Sequence, residues 1–139
     1  MQTLTRGRVK AGQFDAPDGI QKIAKVALAA VDTAGGLFAW KNPEGVAIFV
    51  NRIELDVITD PSGACTADLG SAANGTTLSD NLIDGLDIGT AAGLFDNLGN
   101  PGTNGKTRQK LTSSQWVTGS VASGASAGLV GFAYIHYHK

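Results

Sequence analysis

Residues 46–59 read VAIFVNRIELDVIT, and the fold class turns on this stretch. Val46, Ile48 and Val50 share one side, and Ile53, Leu55 and Val57 then alternate with Arg52, Glu54 and Asp56. A strand with one face in a core and the other in water has this period, because successive side chains of a pleated backbone point to opposite faces. The parity of the apolar set changes near Asn51. A slip of one residue would turn the second set away from the core, so the sequence predicts a β-bulge or a change of sheet there.

Turn chemistry brackets this strand on both sides. Asn42-Pro43-Glu44-Gly45 and Gly35-Gly36 enclose a short apolar piece, Leu37 to Trp40, read as a brief strand. After the turn Asp60-Pro61-Ser62-Gly63 come a short strand over 64–70, a polar loop over 71–79, and a strand over 81–88 in which Leu82, Leu86 and Ile88 share a parity. Residues 89–105 are rich in glycine and read as a long packed connection, with Leu94, Phe95 and Leu98 as its apolar anchors. A short charged edge strand over 106–111, a strand over 115–121 and a small-residue turn over 120–128 follow.

The last strand, 129–138, carries Leu129, Ala133, Ile135 and Tyr137 on one face and Val130, Phe132, Tyr134, His136 and His138 on the other. Apolar residues on both faces predict a central strand covered on both sides. Residues 20–31 are ambiguous: Ile20, Ile23, Ala24, Ala27, Leu28 and Val31 fit a helix, while Val26, Leu28 and Ala30 fit a strand. The all-β character of the remainder and the lack of a capping box favour the strand. About eight strands result, an all-β chain forming a single β-sandwich, with a jelly roll the leading topology and an immunoglobulin-like one second. Ile53, Leu55, Val57, Trp116, Phe132 and Ile135 are the expected core.

Residues 1–19 are polar with isolated apolar positions and end in Pro17-Asp18-Gly19, so the division is an extended N-terminal arm over 1–19 and the jelly-roll-like sandwich over 20–139. In an extended arm Arg6, Arg8 and Lys10 share one side. Together with Leu4 and Phe14 they are the candidate assembly contacts.

Composition narrows the function. The chain has 139 residues, ample for one domain, and much of its 42% hydrophobic content is alanine, with nine aromatics (five Phe, two Tyr, two Trp). Eleven Lys plus Arg against twelve Asp plus Glu give a net charge of -1, which points to neither nucleic acid nor a membrane surface as partner. The start, MQTLTRGRVK, lacks the apolar run of a secretory signal, and a soluble protein is expected. Cys65 is the only cysteine and reads as a small buried strand residue.

No phosphate-binding glycine loop, G-x-S-x-G, H-E-x-x-H or C-x-x-C pattern occurs. His136 and His138 share a strand face, a spacing able to hold a metal, but no third His or second Cys exists, so a surface or interface pair is expected. Asp80 and Asp84 share a face and Asp87 points away, with Asp96 beyond, so no ready carboxylate cluster is expected. Ser79 and Ser113 have no placed base. Neither catalysis, cofactor nor metal is expected.

Asn42-Pro43-Glu44-Gly45 before the strong strand, Asp80-Asn81-Leu82-Ile83-Asp84-Gly85 with Gly89-Thr90-Ala91-Ala92-Gly93, and Trp116-Val117-Thr118-Gly119 leading into Ala127-Gly128-Leu129-Val130-Gly131 carry a resemblance. From Ala34 onward the chain resembles small virion structural proteins of tailed bacteriophages, of the jelly-roll capsid-decoration or head-protein type. The resemblance implies a protein of the virion surface that coats a capsid, partnered by copies of itself as a homo-oligomer such as a trimer and by a major capsid protein. The alternative is a carbohydrate-binding or fibre-tip β-sandwich module, for which Trp40, Trp116 and Tyr137 are the available stacking platforms.

Overall fold

The computed structural model describes residues 19–139, and the expected arm contacts Leu4, Arg6, Arg8, Lys10 and Phe14 lie outside them. Nine strands follow in order: β1 (Lys22–Ala27), β2 (Phe38–Lys41), β3 (Ile48–Thr59), β4 (Cys65–Ala72), β5 (Ile83–Asp87), β6 (Gly93–Asp96), β7 (Gln109–Leu111), β8 (Trp116–Gly124) and β9 (Val130–His138). One sheet has the order β1-β9-β3-β6, with β7 also on β3, and the other the order β2-β8-β4-β5. The antiparallel pairs β1–β9, β2–β8, β3–β6 and β4–β5 are nested, as in one long hairpin rolled up on itself. The ladders β3–β9 and β4–β8 complete the two sheets of a jelly roll.

The ambiguity over 20–31 is resolved as a strand. Ile20, Ile23 and Val31, which a helix would have buried together, are all exposed, whereas Ala24, Val26 and Leu28 pack against the core. The bulge in β3 is where the parity change placed it. Val50 pairs with Tyr137 and Arg52 with His136, so Asn51 is the extra residue, and Ile48, Val50, Ile53, Leu55 and Val57 all reach the core at 0–1% exposure. Asn51 and Gln21 exchange two side-chain hydrogen bonds beside the bulge.

Three expectations are corrected. The connection over 89–105 contains β6, a four-residue strand paired with residues 54–57 of β3; Phe95 packs against the core, but Leu94 and Leu98 are exposed. Strand β8 runs on to Gly124 and β4 to Ala72, which shortens two expected loops. Strand β9 is central in its sheet but buries only one face. Leu129, Ala133, Ile135 and Tyr137 enter the core, while Phe132 and Tyr134 stay half-buried on the outside. Four of the six expected core residues are fully buried; Trp116 and Phe132 are half-buried.

Two glycines in β8 allow close approach of other parts of the chain. Gly119 pairs with Phe38, whose ring lies where a Cβ at 119 would stand. Gly124 has φ +81°, and a Cβ there would overlap the Ala64 carbonyl.

The C-terminal strand is tied down by Glu44, in the turn before β3. Its carboxylate accepts from the Tyr137 hydroxyl at 2.8 Å and from Lys22 Nζ at 3.0 Å, with Lys139 at 3.8 Å. Lys22 and the Tyr137 hydroxyl hold Glu44 below the usual carboxylate range, while burial and the adjacent carboxylate push Tyr137 up to about 12. Because the folded value of Glu44 is lowered, its contribution is present above its unfolded value of about 4.3 and is lost as pH falls through the folded one. Tyr137→Phe is expected to cost about 1.5 to 3 kcal/mol at neutral pH, the range for a hydrogen bond to a charged group. The difference from wild type should shrink on acidification; urea melts at neutral and acid pH measure both.

Candidate functional site

The side chains that leave the core on the five-stranded sheet form a surface of their own. The pairing places Ile23 beside His136 and Arg52, Lys25 beside Tyr134 and Glu54, and Ala27 beside Phe132 and Asp56. Strand β6 adds Asp96 next to Glu54 and Leu94 next to Asp56. An antiparallel sheet with one face in water ordinarily turns polar residues outward. Here Leu94 is 73% exposed, Ile23 60% and Val130 51%, around the half-buried rings of Phe132 and Tyr134.

The polar residues of the face are linked to one another. Arg52 Nη2 donates to Asp96 Oδ2 at 2.9 Å and sits 3.0 Å from Glu54 Oε2, and Glu54 Oε1 lies 2.9 Å from His136 Nε2. The Gly99 N–H, followed by the Arg52 guanidinium, keeps Asp96 below the usual carboxylate range. Lys25 Nζ stands 4.2 Å from the Phe132 ring centre and 5.8 Å from that of Tyr134, a cation–π arrangement. His138 stacks on Phe49 at 5.4 Å. The histidine pair thus lies on this surface, as expected.

Elsewhere the aspartates depart from expectation. Asp80 and Asp84 do gather, because β4 brings Asp68 to them; one oxygen from each of the three lies within 4.8 Å of the others, while Asp87 stands apart and caps its own turn through Gly89 and Thr90. Carboxylate oxygens are the donors a divalent cation takes. Each here already accepts an amide, Asp68 from Gly85, Asp80 and Asp84 from Asn104. Burial, aided by Asp84 and Asp80, pushes Asp68 up. Beside them an open groove of about 310 Å³ runs between β5 and β6 over Leu86 and Phe95.

Of the expected sugar platforms, Tyr137 is buried and Trp40 and Trp116 are half-buried. Trp40 packs on Tyr137 with ring centres 5.2 Å apart, Tyr137 is 5% exposed, and the half-buried Trp116 ring lies against Gly75. Burial, with Asp32 and Asp87 nearby, pushes the Cys65 thiol up, consistent with a packed rather than a reactive residue.

No protein-family model matches the chain, and no curated protein matches it in sequence. In structure it is similar to a chain of the acidic stable capsid of Helicobacter pylori bacteriophage KHP30, with a TM-score of 0.55 and 17% identity over 88% of this chain and 90% of that one. It also aligns with a chain of the cyanophage Pam1 capsid asymmetric unit, with a TM-score of 0.44 and 17% identity over 96% of this chain and 99% of that one. The KHP30 likeness is one of fold.

Proposed function

We propose that this chain is a non-enzymatic virion structural protein, a capsid decoration or stabilising protein that oligomerises on the surface of a phage head. The observation that carries assembly is the outer face of the five-stranded sheet, where Ile23, Leu94 and Val130 are each more than half exposed among charged residues, on a domain whose own core is closed. The fold shared with a phage capsid chain supports a virion as the setting. On this reading the partners are copies of the chain and a major capsid protein. Residues 1–19 act as an arm, with Arg6, Arg8 and Lys10 meeting carboxylates and Leu4 and Phe14 filling shallow pockets.

The test is light scattering on a sizing column, followed by co-sedimentation with capsid shells. Oligomers, or chain pelleting with shells, are expected. A strict monomer that also leaves shells bare would overturn the proposal.

A further inference from the structure

Resting on that assembly reading, we propose that the outer face of the five-stranded sheet packs on the same face of a second copy about a twofold axis, with Lys25 of each copy meeting Asp56 of the other. The face carries Lys25, Arg52 and Lys110 against Glu54, Asp56 and Asp96, so it has no net charge to attract a polyanion or a basic segment. Its complement is another surface of the same mixed kind, and the chain itself supplies one.

The charges are placed for self-pairing. Arg52 is ion-paired with Glu54 and Asp96, but Lys25 and Asp56 have no ion-pair partner among the described residues. The two lie on opposite sides of β9, Lys25 beside Tyr134 and Asp56 beside Phe132. A twofold axis lying between the stacked sheets, passing over β9 between these rings and perpendicular to the line from Lys25 to Asp56, brings each Lys25 over the other copy's Asp56. It also sets the Phe132 and Tyr134 rings of the two copies against each other. Such an isologous contact uses one patch twice and closes on itself.

The size of the face indicates how tight the pair is. Four strands about 4.8 Å apart and six residues at about 3.4 Å span roughly 20 by 20 Å. That footprint is about half the roughly 800 Å² per partner of a stable interface, so the pair is weak in free solution and strengthened where many copies share one particle.

Sedimentation velocity of the full chain over a concentration series tests this with K25D, D56K and their equimolar mixture, with circular dichroism confirming the fold of each. In either variant alone both ion pairs become like-charged, and self-association should weaken at least about tenfold. In the mixture every pair is again opposite in sign, so association should return as a mixed dimer. Ile23→Glu, at a 60% exposed position, disrupts the same face independently should either charge variant fail to fold. A wild-type dimer left unchanged by K25D, D56K and I23E would place the contact elsewhere and overturn this inference while leaving assembly intact. So would two weakened variants that do not rescue each other. A wild type that is monomeric at every concentration would remove the inference, and self-assembly in solution with it; attachment to shells is then decided by co-sedimentation.

Discussion

Ile135→Ala is expected to lower the free energy of unfolding by about 2 to 5 kcal/mol, the range for truncating a large buried aliphatic side chain. Ile135 faces Ile53 directly across the β3–β9 ladder, and both are 0% exposed. Their side chains stand on the two inner strands of the five-stranded sheet. Against a total of about 5 to 15 kcal/mol for an ordinary domain, the loss is a large fraction of the stability. Ile23→Ala, on the opposite face of the same sheet, should stay within about 0.5 kcal/mol in dilute monomer. Urea unfolding of the two variants side by side checks the orientation of the sheet. A larger loss for Ile23→Ala than for Ile135→Ala would show that the inner and outer faces are exchanged.

Asn97→Ala should cost about 2 to 4 kcal/mol, although it removes no apolar contact. Asn97 is 0% exposed, its Oδ1 accepts from the Ile53 N–H at 2.9 Å, and its Nδ2 donates to the Lys106 carbonyl at 2.9 Å. Its own N–H donates to the Ile53 carbonyl at 3.3 Å, which continues the β3–β6 ladder by one residue. The truncation leaves a buried N–H and a buried C=O without partners, and each unmade bond costs about 1 to 3 kcal/mol. Amide hydrogen exchange at Ile53 should accelerate in the variant together with the drop in the urea midpoint. Unchanged protection at Ile53 would mean that the side chain does not bridge β3 to the loop.

These residues show what sequence reading reaches and where it stops. The bulge at Asn51 was legible because a change of parity is a local signal, and both halves of the apolar set must reach one core. Strand β6 was not. GLFD is four residues among glycines, and it becomes a strand only because β3 offers it an unpaired edge, which is a non-local cause. Asn97 reads as loop chemistry for the same reason, since its two backbone partners lie 44 and 9 residues away. The Asp68, Asp80 and Asp84 group was missed because a carboxylate from β4 completes it, and the isolated Asp in the apolar run CTADLGSA was the one available hint. The outward face of β9 was read correctly as apolar but wrongly as covered within the domain. Periodicity tells which side chains share a face, not what lies opposite them, and here the Phe132 and Tyr134 rings stay half-buried on the outer face.

The most direct measurement of the central claim is a quantitative peptide analysis of intact particles, purified through a density gradient from the source that encodes this chain. The chain is expected in fixed proportion to the shell protein, retained through the gradient and visible in a cryo-EM map of the same particles as a jelly roll on the outer surface. Intact particles that lack the chain, while the protein accumulates free in the surrounding lysate, would contradict it.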